Sequence, residues 1–98
     1  MDIKKNLNGT ALNVAIYGRV DTTTAPALEK ELKESFDNCD SLVLDFAEVE
    51  YISSAGLRVL LSAQKVMGKK GGMKLINVIN DINEIFEVTG FSDILVIE

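Results

Sequence analysis

Residues 41–61 read SLVLDFAEVEYISSAGLRVLL, and the way this stretch divides decides the fold. Its opening, SLVLDF, is a short continuous apolar run, the pattern of a strand buried on both faces of a parallel sheet, and it predicts a strand over 41–46. Further on the spacing changes. Leu57, Leu60, Leu61 and Met67 fall near one face of a helix predicted over 55–68. A strand that leads into a helix is half of a βαβ unit, and Ser53 and Ser54 stand at the join.

Upstream, residues 3–7 and 11–17 are strand-like runs around Asn8-Gly9, a strong two-residue hairpin signal because both residues tolerate positive φ. Leu12, Val14 and Ile16 alternate with Asn13, Ala15 and Tyr17, as a half-buried strand requires, and Gly18 ends or bends that run. A helix is predicted over 24–36, with Ala25, Leu28, Leu32 and Phe36 on its apolar stripe. Pro26 fits only its first turn, and Asp21, Thr22, Thr23 and Thr24 are candidate caps. Downstream, Gly71-Gly72 breaks the chain before a strand at 74–79. A short helix follows at 81–89, carrying Ile82, Ile85 and Phe86 and stopped by Gly90, and then a last strand at 94–97. The order is hairpin, helix, strand, helix, strand, helix, strand. It predicts an α/β fold: a mixed, mostly parallel sheet with an N-terminal β-hairpin and three helices, one domain over residues 1–98.

Composition narrows the function. The chain is 47% apolar and 26% charged, without a repeat or a membrane-length apolar run. Met1-Asp2-Ile3-Lys4-Lys5 lacks the apolar core of a signal peptide, so a cytoplasmic location is expected. There is no histidine, which excludes His-based nucleophilic dyads and the usual zinc sites. The single cysteine, Cys39, reads as a small residue near a helix end and suits a reducing compartment. A net charge of −5 argues against a nucleic-acid partner.

Three readings compete for the serines. One is an N-cap, whose Oγ accepts a bond from a free backbone N–H. Another is a phosphate acceptor, since a helix N-terminus favours added negative charge. Gly56, a poor residue for a first turn, would leave the backbone there open to another molecule. The third, a catalytic nucleophile, lacks a base: Asp21 and Asp45 are weak ones at neutral pH, and ISSAG is not the nucleophile elbow of a hydrolase. MGKKGG at 67–72 lacks the first glycine and the hydroxyl residue of a phosphate loop and reads as a solvated turn. Asp45, Glu48 and Glu50 read as a solvated strand end, and Tyr51, Phe86 and Phe91 as core.

Three stretches carry a family resemblance: GRVDTTTAPAL at 18–28, LVLDFAEVEYISSAGLRVLL at 42–61 and IFEVTGFSDI at 85–94. Together they make the chain resemble an anti-sigma factor antagonist, the bacterial anti-anti-sigma protein built on a STAS domain. The middle stretch is the specific one. The resemblance implies that Ser54 matches the phosphorylated serine, Gly56 and Leu57 its Gly-Leu, and Asp21 the acidic residue near it. Ser53 stands where many members carry Asp, which makes it a rival acceptor. The implied partner-binding residues are Asp21, Thr22, Ser53, Ala55, Gly56, Leu57 and Arg58. The implied partners are an anti-sigma factor with a histidine-kinase-like ATPase fold, which binds the unphosphorylated protein and phosphorylates it, and a PP2C-type phosphatase. Neither an enzymatic activity nor a cofactor is implied. STAS domains also serve as unphosphorylated interaction subunits of transporters or larger signalling assemblies, and some are thought to bind nucleotides; both stand as alternatives.

Overall fold

The structure, a computed structural model, describes residues 1–98. Its first two strands, β1 (Asp2–Asn8) and β2 (Ala11–Val20), form the expected antiparallel hairpin with Asn8 opposite Ala11. The two turn residues are Gly9 and Thr10 rather than Asn8 and Gly9, and only Gly9 takes a positive φ, +64°. That is the pattern of a type II′ turn, which needs glycine at its first central position. Gly18 bends β2 without ending it: the register with the neighbouring strand shifts there and the strand runs on to Val20.

Helix α1 (Ala25–Ser35) buries Ala25, Leu28, Leu32 and Ser35 and passes into a short 3-10 turn, Phe36–Asn38. Phe36 is only half-buried, because the tighter turn carries it off the predicted stripe. The strand β3 (Ser41–Ile52) is twice as long as expected, with AEVEYI continuing the ladder against β2. Helix α2 (Ser54–Met67) packs Leu57, Val59, Leu60, Ala63 and Met67 inward. The strand β4 (Met73–Ile76) stops early, where Asn77 adopts a left-handed φ of 59°. Helix α3 (Asn80–Thr89) ends at Gly90, whose left-handed φ of 82° supplies the predicted stop. A 3-10 turn at Phe91–Asp93 then leads to β5, only Val96–Ile97.

The five-stranded sheet has the order β1-β2-β3-β4-β5, antiparallel at the hairpin and parallel elsewhere, the mixed topology expected. Twenty-three buried apolar residues form one core. Leu12, Val14 and Ile16 meet Leu42, Leu44 and Phe46 on the inner side of the sheet, and Phe46 lies 6.5 Å from Phe86 of α3, ring centre to ring centre. Of the aromatics expected in the core, Phe86 is fully buried and Phe91 half-buried, but Tyr51 is 38% exposed. The extra length of β3 places Tyr51 on the face away from Val49 and Ile52, which point inward on either side of it. The turn at 67–72 is not wholly solvated either, since Lys70 donates from Nζ to the backbone carbonyls of Phe36 and Cys39. Cys39 is buried, and that burial pushes its thiol pKa up.

Candidate functional site

The join between β3 and α2 sits at the C-terminal ends of two parallel strands, where α/β sheets place their sites. Arg19 pairs with Tyr51 and Val20 with Ile52, and the N–H of Ser53 donates to the carbonyl of Val20 at 2.8 Å. This bond carries the ladder one residue past the end of β3 and sets the start of α2 beside the segment that begins with Asp21.

The two serines divide the work. Ser53 keeps an extended backbone and is the N-cap: its Oγ accepts from the N–H of Gly56 at 3.4 Å, and its carbonyl accepts from the N–H of Leu57 at 2.9 Å. Ser54 is the first residue of the helix and is exposed. Its hydroxyl bonds to no protein group, and the N–H groups of Ser54 and Ala55 have no protein acceptor. The helix therefore presents free donors and the positive end of its dipole beside an unencumbered hydroxyl.

Gly56 faces inward. A Cβ there would lie 2.7 Å from Cγ1 of Ile52 and 2.8 Å from Cγ1 of Val20. The glycine thus permits the approach of the chain's own strands, which corrects the expectation that it opens the backbone to another molecule. Leu57 is 7% exposed and also belongs to the core. Both shape the site from beneath, while Ser54, Arg58 and Thr22 are exposed and Ser53, Ala55 and Asp21 half-exposed.

Asp21 organises the entry to α1. Its Oδ1 accepts from the hydroxyl of Thr23 at 2.6 Å and from the N–H groups of Thr23 and Thr24 at 3.0 and 3.1 Å. These bonds, the Thr23 hydroxyl foremost, hold its pKa below the usual carboxylate value. Thr24, at the cap position itself, accepts from the N–H of Asp21 at 2.9 Å and donates to the carbonyl of Arg19 at 2.8 Å. So Asp21 closes an Asx-type turn ahead of α1, while the cap position itself is held by Thr24, another of the four candidates, which makes no side-chain bond to the helix N–H groups.

Two residues absent from the sequence-derived set join this surface. The Arg19 guanidinium lies 4.5 Å from the centre of the Tyr51 ring, and its Nε is 3.7 Å from Oδ2 of Asp21. Alternation of Glu48, Val49, Glu50 and Tyr51 in the sequence would put Tyr51 on the inner face with Val49; the register shifts against β2 turn it outward beside Arg19, which no local pattern signals. Below Ser54 an open groove of about 670 Å³ runs between α1 and α2, and Thr22, Ala55 and Arg58 line its upper end. Pro26, Lys30 and Glu34 of α1 line the rest.

The topology and the serine-bearing helix start define a family. The STAS domain model matches residues 2–98, and the chain belongs to that family. Among its relatives is the anti-sigma-B factor antagonist of Bacillus subtilis (strain 168), 33% identical over 96 residues, covering 97% of this chain and 86% of that one. An anti-sigma factor antagonist from Mycobacterium paratuberculosis superposes with a TM-score of 0.89 at 25% identity, over 98% of this chain and 83% of its own. The Bacillus cell fate determinant SpoIIAA in its phosphorylated form shares the fold at 11% identity, with a TM-score of 0.76 over 99% and 91% of the two chains. No helix of the structure is long and apolar enough to cross a membrane.

Proposed function

We propose that this chain is a cytoplasmic anti-sigma factor antagonist. Unphosphorylated, it binds an anti-sigma factor, frees the sigma factor and is released by phosphorylation of Ser54. The observation that carries the reading is the division between the serines. Ser53 is committed to the cap, whereas Ser54 is exposed at the first turn of α2 with free N–H groups next to it. The family membership and the names of the relatives supply the class of partner.

The contact surface comprises Ser54 with Asp21, Thr22, Ser53, Ala55 and Arg58. Gly56 and Leu57 hold the helix start at its depth, and Arg19 and Tyr51 extend the surface. Phosphorylation adds a charge of about −1.5 to −2 at neutral pH. The helix N-terminus tolerates that charge, so the fold is unchanged. A partner packed over Ser54 would have to desolvate the phosphate, and each ~1.4 kcal/mol of that penalty weakens binding about tenfold. The switch therefore acts by charge and desolvation rather than by a large conformational change. The kinase is the anti-sigma factor itself, of the histidine-kinase-like ATPase type, and a PP2C-type phosphatase resets the system.

Phosphosite mapping of the chain purified from its own cells tests the assignment. Phosphate on Ser54 supports it. Phosphate on Ser53, or none in any growth phase, refutes it.

A further inference from the structure

The charge of this chain is segregated. Residues 75–98 contain five carboxylates, Asp81, Glu84, Glu87, Asp93 and Glu98, and neither Lys nor Arg. Residues 1–74 hold the other ten carboxylates and all ten cations, so the whole net charge of −5 resides on α3 and the segment that follows it. Of those five carboxylates only Glu98 is ion-paired, to Lys74 at 3.2 Å.

The same region exposes apolar surface. Val88 is 87% exposed, Val96 51% and Ile94 45%. Ile82 and Phe86 take α3 into the core and the half-buried Ile85 packs against its edge, whereas Val88 faces water. Ile85 and Val88, with Asp81, Glu84 and Thr89, line a shallow cleft of about 370 Å³. Two of these choices run against the stability of the helix. Val88 is β-branched and almost fully in water, and Glu87 brings a negative charge to the negative end of the helix dipole with no basic residue in the last turn. Residues that break local rules without a gain in folding mark sites kept for another purpose.

We propose that the outer face of α3, from Asp81 to Thr89, is a second docking surface, and that its occupant is a cationic, amphipathic helical segment of a partner protein. Charge decides between occupants. An acidic face repels nucleic acid and anionic membranes, and two copies of it repel each other. A second copy could offer it only Lys65 and Lys69 as free lysines close together in one segment, since Lys70 and Lys74 are engaged within the fold. A segment with lysines around an apolar stripe matches both the carboxylates and the exposed Val88. The cleft shares no lining residue with the groove below Ser54, so the two surfaces can be probed separately.

The test is an amide NMR titration of the full ¹⁵N-labelled chain with a synthetic Leu/Lys peptide whose leucines follow helical i, i+3, i+4 spacing. The same peptide with Gln for Lys is the control. The expected shifts centre on residues 81–89, leave Ser54 and Arg58 unmoved, and fade when Gln replaces Lys. Val88→Ser and Glu84→Lys/Glu87→Lys, all changes at exposed positions, should each weaken binding at least tenfold while the remaining spectrum is preserved. Shifts scattered over every carboxylate, shifts centred on the α1–α2 groove, or affinity indifferent to Val88→Ser would overturn the proposal. So would concentration-dependent self-association through this face without peptide, which would make a second copy the occupant.

Discussion

The Cβ that Gly56 lacks would fall 2.8 Å from Cγ1 of Val20, and the carbonyl of the same Val20 holds the N–H of Ser53 at 2.8 Å. One residue of β2 thus fixes both the depth and the entry angle of α2, and with them the position of Ser54. Gly56→Ala forces that contact and the one to Ile52. The expected loss of stability is about 1–3 kcal/mol, the range for overpacking a filled core. Urea denaturation checks it: an unchanged midpoint would show that the helix start shifts freely.

Capping and modification separate by mutation. Ser53→Ala removes the Oγ that accepts from Gly56 and should destabilise by about 0.5–1 kcal/mol, the lower part of the range for a lost cap, because the 3.4 Å bond is long. Ser54→Ala should be near neutral. Ser54→Asp should be neutral or stabilising by about 0.3–1 kcal/mol through the helix dipole. The opposite order in thermal melts would mean that the two serines have exchanged roles.

The Asp21 carboxylate gives the stability a pH signature. Its pKa is held down in the folded state, so its contribution is fully present above the unfolded value of about 3.9 and is lost as pH falls through the lower folded value. Asp21→Asn should therefore lower the melting temperature at pH 7, and the gap to wild type should close below about pH 4. A gap that stays constant with pH would assign the effect to geometry rather than charge.

Cys39 is 3% exposed, and burial raises its thiol pKa, with Lys70 only partly opposing. A thiol reagent at neutral pH should label the folded chain very slowly and the denatured chain at once. Fast labelling of the native protein would mean that the loop before β3 opens readily.

These predictions rest on features of unequal legibility in the sequence. Strict alternation exposed β2, and SLVLDF exposed the start of β3. The second half of β3 is obscured because three of the six residues of AEVEYI, Ala47, Glu48 and Glu50, are charged or small, and register shifts in the β2 pairing break its period of two. Tyr51 was consequently assigned to the core, when its real neighbour is Arg19. β5 was predicted at 94–97 because ILVI is continuously apolar, but a 3-10 turn ahead of it leaves only Val96–Ile97 in the ladder. The paired serines were visible from spacing alone. Which of them caps the helix depends on where Val20 captures the backbone, a contact between residues 33 positions apart that no local pattern encodes.

The central claim is that negative charge on Ser54 breaks the partner interface while the fold stays intact. The most direct test is calorimetric titration of the cognate anti-sigma factor with wild type, Ser54→Ala and Ser54→Asp. Ser54→Ala should bind within about threefold of wild type, and Ser54→Asp at least ~100-fold more weakly, a difference of about 2.7 kcal/mol. Equal affinity of Ser54→Asp and wild type would contradict the account and place the interface elsewhere on the molecule.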